Sequence, residues 1–539
     1  MDRRTFAKLL GGGAALLPVS QARAQTPSSA ATKAILADYS TPSPFSPFDV
    51  GTRAQLFVDQ ALVRESERVA FTLHPAEKHN RNPLLVADRP WEGWNLQIFG
   101  NVLYDEEEKI FKMWYLGGAA GYFPDSDKYA NPCLYATSGD GITWEKPLAG
   151  TIQALKGGKH NAVALVDLAS VIKDREDPDP AKRYKMLCYS WIDRPPASRG
   201  YSTMISPDGL NWKPLSTMPI APGFDVITGY YDETRRLYVA MVKIYTEIRG
   251  FSRRAFYLLT SKDFEHWTEP QLVWPSDLRD DIGSLARIEE ARPMLALPDN
   301  PALMRTEPYG LGFYPAESCT LAFPWIFTIN NYNSTLKDAR DGLMEVQLAA
   351  SRDLVNWDRH FRTPCIPRGM IGEWDSGMVY TQSRALRVAD EVWLYYGGTN
   401  ATHACTCFYE AEGKDLGTKY KGSIGLAKWK LDRFVSVDGP AEGGTLTTIP
   451  LVFSGERLEV NARVKAGGTL SVEILDAAVR PIEGYGRSEP ISGDHLRCHI
   501  TWRGDKNVPN LRGKPVSLKF HLRRAELYSF AFRQQGRAS

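Results

Sequence analysis

The chain has 539 residues, more than one ordinary domain holds, and its 43% hydrophobic and 24% charged residues are ordinary for globular proteins. A net charge of +2 excludes recognition by bulk field, so neither nucleic acid nor an acidic polymer gripped by charge alone is expected as a partner. Aromatic residues at 11%, with 14 Trp and 24 Tyr, suit pleated sheets and suit rings that stack on sugar faces.

The first residues read as an address. Arg3-Arg4-Thr5-Phe6 precedes a weakly apolar run from Leu9 to Val19, and Ala22-Arg23-Ala24 offers a small-residue cleavage site. This pattern predicts a twin-arginine-type signal over residues 1–24 and a periplasmic or secreted protein. Residues 25–50, rich in Pro, Ser, Ala and Thr, are expected to form a flexible leader. No later run reaches the ~18 apolar residues of a membrane span.

Farther along, one phrase recurs four times. Ser138-Gly-Asp140-Gly-Ile-Thr-Trp144 is followed by Ser206-Pro-Asp208-Gly-Leu-Asn-Trp212, Ser261-Lys-Asp263-Phe-Glu-His-Trp267 and Ser351-Arg-Asp353-Leu-Val-Asn-Trp357. The Asp-to-Asp steps are 68, 55 and 90 residues, the size of propeller blades with variable insertions. Ser and Asp can bond backbone N–H groups in a hairpin turn, and Gly in two copies allows positive φ. The Trp begins the next strand and is expected to pack between blades.

Each copy closes a run of short apolar strands. The first unit contains Gly100–Tyr104, Phe111–Tyr115 and Leu134–Thr137; the second Ser170–Lys173, Tyr184–Tyr189 and Tyr201–Ile205. The third contains Asp225–Tyr231, Leu237–Val242 and Ala255–Leu259; the fourth Tyr309–Tyr314, Leu321–Ile329 and Leu343–Ala350. A fifth, with Gly377–Tyr380, Glu391–Tyr396 and Ile424–Ala427, lacks the closing phrase. Two upstream strands, Gln55–Val58 and Val69–Thr72, are expected to complete it and so remove an exposed sheet edge. From about residue 438 the Trp-rich pattern stops, and strands such as Leu458–Val464, Thr469–Ile474, Val516–Leu522 and Leu527–Phe532 alternate with Gly turns. The reading is an all-β chain: a five-bladed β-propeller over 51–437, then a small β-sandwich over 438–539. The sandwich reads as a buttress, because the join at Asp432-Arg-Phe434 has no Pro/Ser linker.

Seven Cys at irregular spacing do not spell a disulfide framework. Cys405-Thr-Cys407 near His403 lacks a second pair, so no metal and no cofactor are expected. The acidic runs Asp105–Glu108 and Asp174–Asp179 read as solvated hairpin turns.

The chain resembles the five-bladed propeller glycoside hydrolases, families 32, 43 and 68 and the exported bacterial "family 32-like" proteins. The resemblance rests on Phe111-Lys-Met-Trp-Tyr115, Arg183-Tyr-Lys-Met-Leu187, Asp140-Gly-Ile-Thr-Trp144 and Gly425-Leu-Ala-Lys-Trp-Lys-Leu-Asp-Arg-Phe434. The Asn-Asp-Pro-Asn, Arg-Asp-Pro and Glu-Cys motifs of the invertase-type families are missing, so fructan hydrolysis is not implied. What the resemblance implies is carbohydrate as substrate and carboxylates at the starts of the innermost strands, around a central funnel.

Glycosidic cleavage needs one carboxyl group to protonate the leaving oxygen and another to act as nucleophile or as base on water. Five acids stand at or just before a first strand: Glu92, Asp167, Asp225, Glu307 and Asp375. Asp225, Glu307 and Asp375 are the catalytic candidates, since aromatic residues and Gly surround them. Glu307 is assigned as acid, Asp225 as nucleophile or base, and Asp375 as pKa tuner or sugar ligand. Glu92, Trp94, Asp167, Trp374 and His403 are the substrate-binding candidates. Three alternatives stay open: a phosphorylase, which needs Arg, Lys or His for phosphate; a lyase, for which Tyr309 and His403 offer a base; and a non-catalytic sugar-binding propeller.

Overall fold

A computed structural model of the chain describes residues 46–119, 121–123, 132–190, 200–216, 218–333, 339–404, 420–503 and 508–534. The segment expected to be an export signal and most of the expected leader lie outside these residues, as do Cys405 and Cys407.

Alternating apolar strands separated by tight turns give antiparallel sheets in sequence order. Blade one comprises Gln97–Asp105, Ile110–Leu116, Cys133–Ser138 and Ala162–Ala164, and blade two Asp167–Lys173, Tyr184–Ser190, Gly200–Ser206 and Lys213–Pro214. Blade three comprises Ile227–Asp232, Leu237–Ile248, Phe251–Ser261 and Gln271–Trp274. Blade four is Arg305–Pro315, Thr320–Asn333 and Ala339–Val346, continued by Ala349–Ser351. In blade five, Met378–Thr381 pairs with Glu391–Thr399, which pairs with Gly422–Lys430. Parallel pairs, Met344 with Met378 and Phe313 with Arg384, link blades four and five.

The first strand of each sheet packs against the first strand of the next, and the fifth returns to the first, which makes the arrangement a closed five-bladed ring. Side chains stitch these inner strands together. Asn101 exchanges hydrogen bonds of 2.7 and 2.6 Å with Val171, Ser170 bridges to Ile227 and Gly229, and Gln382 accepts from Val102 N–H at 2.8 Å. The strands approach so closely that a Cβ on Gly312 would lie 2.3 Å from the Gln382 carbonyl oxygen.

The four repeated phrases form four equivalent turns. In each, the Asp carboxylate accepts two backbone N–H bonds of 2.7 to 2.9 Å from residues two and three positions on. The residue after each Asp is left-handed: Gly141, Gly209, Phe264 and Leu354, at φ 73, 78, 67 and 64°. The Trp rings pack between blades as expected; Trp357 of blade four stacks on Trp274 of blade three at 5.4 Å.

The upstream strands depart from expectation. Gln55–Leu56 pairs with Val516–Arg533, and Ala70–Leu73 pairs with Val435–Gly439, so both belong to the second sheet system and not to blade five. Blade five is instead closed by Glu77–Lys78 on Ala427 and Lys428. The end of the expected leader is also ordered, since Phe48–Gly51 runs parallel to Leu451–Phe453. Ten strands from both ends of the described chain make this second system. Its two long strands, Arg457–Asp476 and Val516–Arg533, break register at Asn461/Ala462 and Val464/Thr469, which bends the sheet over itself as a sandwich. Leu446, Val472, Phe520, Phe530 and Phe532 lie in its core. Ion pairs cross the join to the propeller: Arg533 with Glu317 at 2.8 Å and Arg497 with Asp390 at 2.6 Å. No helix among the described residues is long and apolar enough to cross a membrane.

Candidate active site

The inner strands begin at one end of the ring, and blades three and four extend farthest there. Their second strands run on to Ile248 and Asn333. Lys243 and Tyr245 are two apart, and Arg254 lies directly opposite Tyr245, so strand alternation puts all three on one face of blade three. Glu307 and Tyr309 stand on the first strand of blade four. Between these two walls a charged, aromatic cluster forms.

Asp225 enters it from the left-handed position (φ 70°) just before the blade-three inner strand. Its carboxylate forms a short ion pair with Lys243, and its side chain stays 27% exposed. Lys243 is buried, with its ammonium 4.0 Å from the centre of the Tyr309 ring. Burial outweighs the attraction of Asp225 and brings the Lys243 ammonium down to about 8. The Tyr309 hydroxyl lies 3.3 Å from His403 Nε2. His403 Nδ1 is 3.0 Å from the Arg340 carbonyl. A carbonyl only accepts, so Nδ1 carries the proton and Nε2 presents its lone pair. Burial and the nearby Arg254 charge lower His403 to about 4, so the ring is neutral at ordinary pH.

Glu307 is a correction. Its carboxylate is 0% exposed and is held by Arg254 at 2.6 Å and Arg305 at 2.7 Å. Burial alone would push this carboxyl up, but the two guanidinium charges outweigh it and hold it below the usual range. A group so placed keeps its negative charge and cannot be the proton donor assigned to it.

Asp375 lies apart from this cluster. It is 2% exposed and bonds Lys78 at 2.6 Å and the Tyr396 hydroxyl at 2.9 Å, within blade five and the segment that closes it. Trp374 stacks on Tyr396 at 5.4 Å and packs on the core between blades. Glu92 is also corrected: it is buried, and its two oxygens accept from Tyr115, Asp88 N–H, Arg89 N–H and Lys146, so none is left for a sugar. Trp94 packs against Ala401 and Tyr420. Asp167 opens the inner strand of blade two opposite Tyr189; its side chain lies outside the described residues.

The structure thus brings together Asp225, Glu307 and His403, and adds Lys243, Arg254, Arg305, Arg340 and Tyr245, which the sequence reading missed. Among the described residues no cluster of His, Cys, Asp or Glu could hold a metal ion.

No family model and no curated protein matches the chain. Among solved structures it is similar to an N-acetylgalactosamine deacetylase from F. plautii (14% identity, 68% of this chain and 96% of that one, TM-score 0.38). It is likewise similar to a β-1,2-mannobiose phosphorylase from Listeria innocua (12%, 66% and 97%, TM-score 0.39) and to an exo-inulinase from Aspergillus awamori (11%, 85% and 99%, TM-score 0.38). At that depth of likeness neither substrate nor mechanism carries over.

Proposed function

We propose that the protein is an exported carbohydrate-active enzyme that cleaves glycosidic bonds, with Asp225 as its working carboxylate. One observation carries the reading: of the three candidate acids, only Asp225 is both partly exposed and set among aromatic and polar groups where the inner strands begin. Phe224 stacks on Tyr245 at 5.2 Å beside it, and such ring faces suit a pyranose. The Asp225 carboxylate is the ion-pair partner of the Lys243 ammonium. That suits a nucleophile at the anomeric carbon or a base on water, and not a proton donor. Tyr309, whose ring carries the Lys243 ammonium, and His403 complete the cluster. Export rests on the Arg3-Arg4 segment of the sequence.

The test is a panel of aryl glycosides and polysaccharides offered to wild type, Asp225→Asn and Glu307→Gln. Asp225→Asn should lose at least about a hundredfold in turnover while still folding, with a melting temperature lowered by no more than the loss of one partner for the buried Lys243. Glu307→Gln should lose stability first, because it strips two buried guanidinium groups of their partner. Full turnover by Asp225→Asn would remove the assignment.

A further inference from the structure

Two arginines in the cluster have donors that the fold leaves unused. Arg254 is 3% exposed; one terminal nitrogen serves Glu307, while its Nε–H is buried with no partner. Arg340 makes no ion pair among the described residues, and its Nε–H is also buried and unmatched. Both guanidinium carbons lie 5.5 Å from the centre of the same Tyr245 ring. Arg359 shows that an unmatched Nε alone means little, since its other two nitrogens clasp Asp280 at 2.8 Å each. Arg340 has no such carboxylate. The cluster holds four cations, Lys243, Arg254, Arg305 and Arg340, against two carboxylates, and both of these are already engaged. A buried donor without an acceptor and a guanidinium without a counter-charge are costly in a folded protein, and a planar fork matches an oxyanion best.

We infer that Arg254 and Arg340 form an oxyanion subsite beside Asp225, which takes either the carboxylate of an acidic sugar residue or an inorganic phosphate ion. The inference rests on the glycosidic reading for its place in a reaction, but binding tests it separately. Calorimetric titration of the full protein with D-glucuronate, inorganic phosphate and D-glucose, at low salt, supplies the arms. Wild type should bind one of the anions at least tenfold more tightly than glucose. Arg340→Gln should weaken that binding at least tenfold while keeping its melting temperature, because no ion pair is broken. Glucuronate preferred over phosphate identifies a uronate-bearing saccharide, and phosphate preferred identifies a co-substrate; either outcome supports the subsite. Equal affinity for all three, no anion binding, or an Arg340→Gln variant that binds as wild type does would overturn it. Asp225→Asn separates the two readings. It should lose turnover but retain the anion, whereas wild type that binds the anion yet turns over no glycoside sinks the glycosidic reading and leaves the subsite standing.

Discussion

Lys243 is where burial and function oppose each other. Its ammonium is the counter-charge of Asp225 and is held down to about 8 by the apolar wall of blade three. Activity that depends on this ion pair should fall as pH rises through about 8. Stability should move the other way. The folded-state value lies below the ordinary 10.5, so between about 8 and 10.5 the unfolded chain binds more protons, and stability rises with pH across that window. A pH–rate profile run beside urea midpoints separates this from alkaline unfolding: turnover declines while the midpoint holds or climbs. Lys243→Arg, which stays charged, should remove the alkaline limb. A limb that survives unchanged in the arginine variant would show that another group sets it. Much of this cluster was half-visible in the chain. Asp225 was found because Gly223-Phe224-Asp225 precedes an apolar strand. Arg305 shares a strand face with Glu307 two positions on, so that partner was open to a reading of alternation. Arg254, 53 residues from Glu307, was not, because its neighbour depends on how two blades abut.

The repeated turn shows how a local rule survives substitution. Its left-handed residue is Gly in blades one and two but Phe264 and Leu354 in blades three and four, each buried between blades. Positive φ is therefore affordable here for larger residues, because the Asp carboxylate and Ser hydroxyl over-determine the turn. Space, not φ, separates the copies. A Cβ on Gly141 would lie 2.8 Å from the Tyr395 hydroxyl and 2.9 Å from the Trp393 ring. That hydroxyl also donates to the Gly141 carbonyl at 2.6 Å, which ties blade one to blade five. Gly141→Ala should therefore cost about 1–3 kcal/mol by overpacking, read as a lower urea midpoint with unchanged slope. Phe264→Ala should also lose stability, but by leaving a cavity between blades two and three. A neutral Gly141→Ala would mean that the blade-one/blade-five seam yields easily. The phrase itself was legible because its hydrogen bonds are local; the seam residues Tyr395 and Trp393 were not, lying some 250 positions away.

Ring closure and the join to the sandwich are set by long-range pairing, and there the sequence misled. Glu77–Lys78 is two polar residues with no periodicity, so nothing marked it as the closing strand. Gln55–Leu56 and Ala70–Leu73 looked like blade strands because a short apolar strand reads alike at a blade edge and a sandwich edge. The join itself carries a testable imbalance at Asp432. Its backbone is left-handed (φ 64°), and its carboxylate accepts from Ser529 at 3.2 Å near Glu317, which Arg533 already holds at 2.8 and 3.0 Å. Burial, and then the Glu317 charge, push the Asp432 carboxyl up to about 6. The folded chain therefore binds a proton that the unfolded chain has lost between about 4 and 6, and the resulting stabilisation disappears as pH rises through about 6. Asn accepts the same backbone and needs no proton. Asp432→Asn should match wild type at pH 4 and exceed it at pH 7.5 by about 1 kcal/mol, a discounted figure for a side chain that keeps some exposure. Urea midpoints at the two pH values decide it. A variant weaker than wild type at pH 7.5 would mean that the charged carboxylate is a net tie between propeller and sandwich, with Arg387 as the cation that repays its burial.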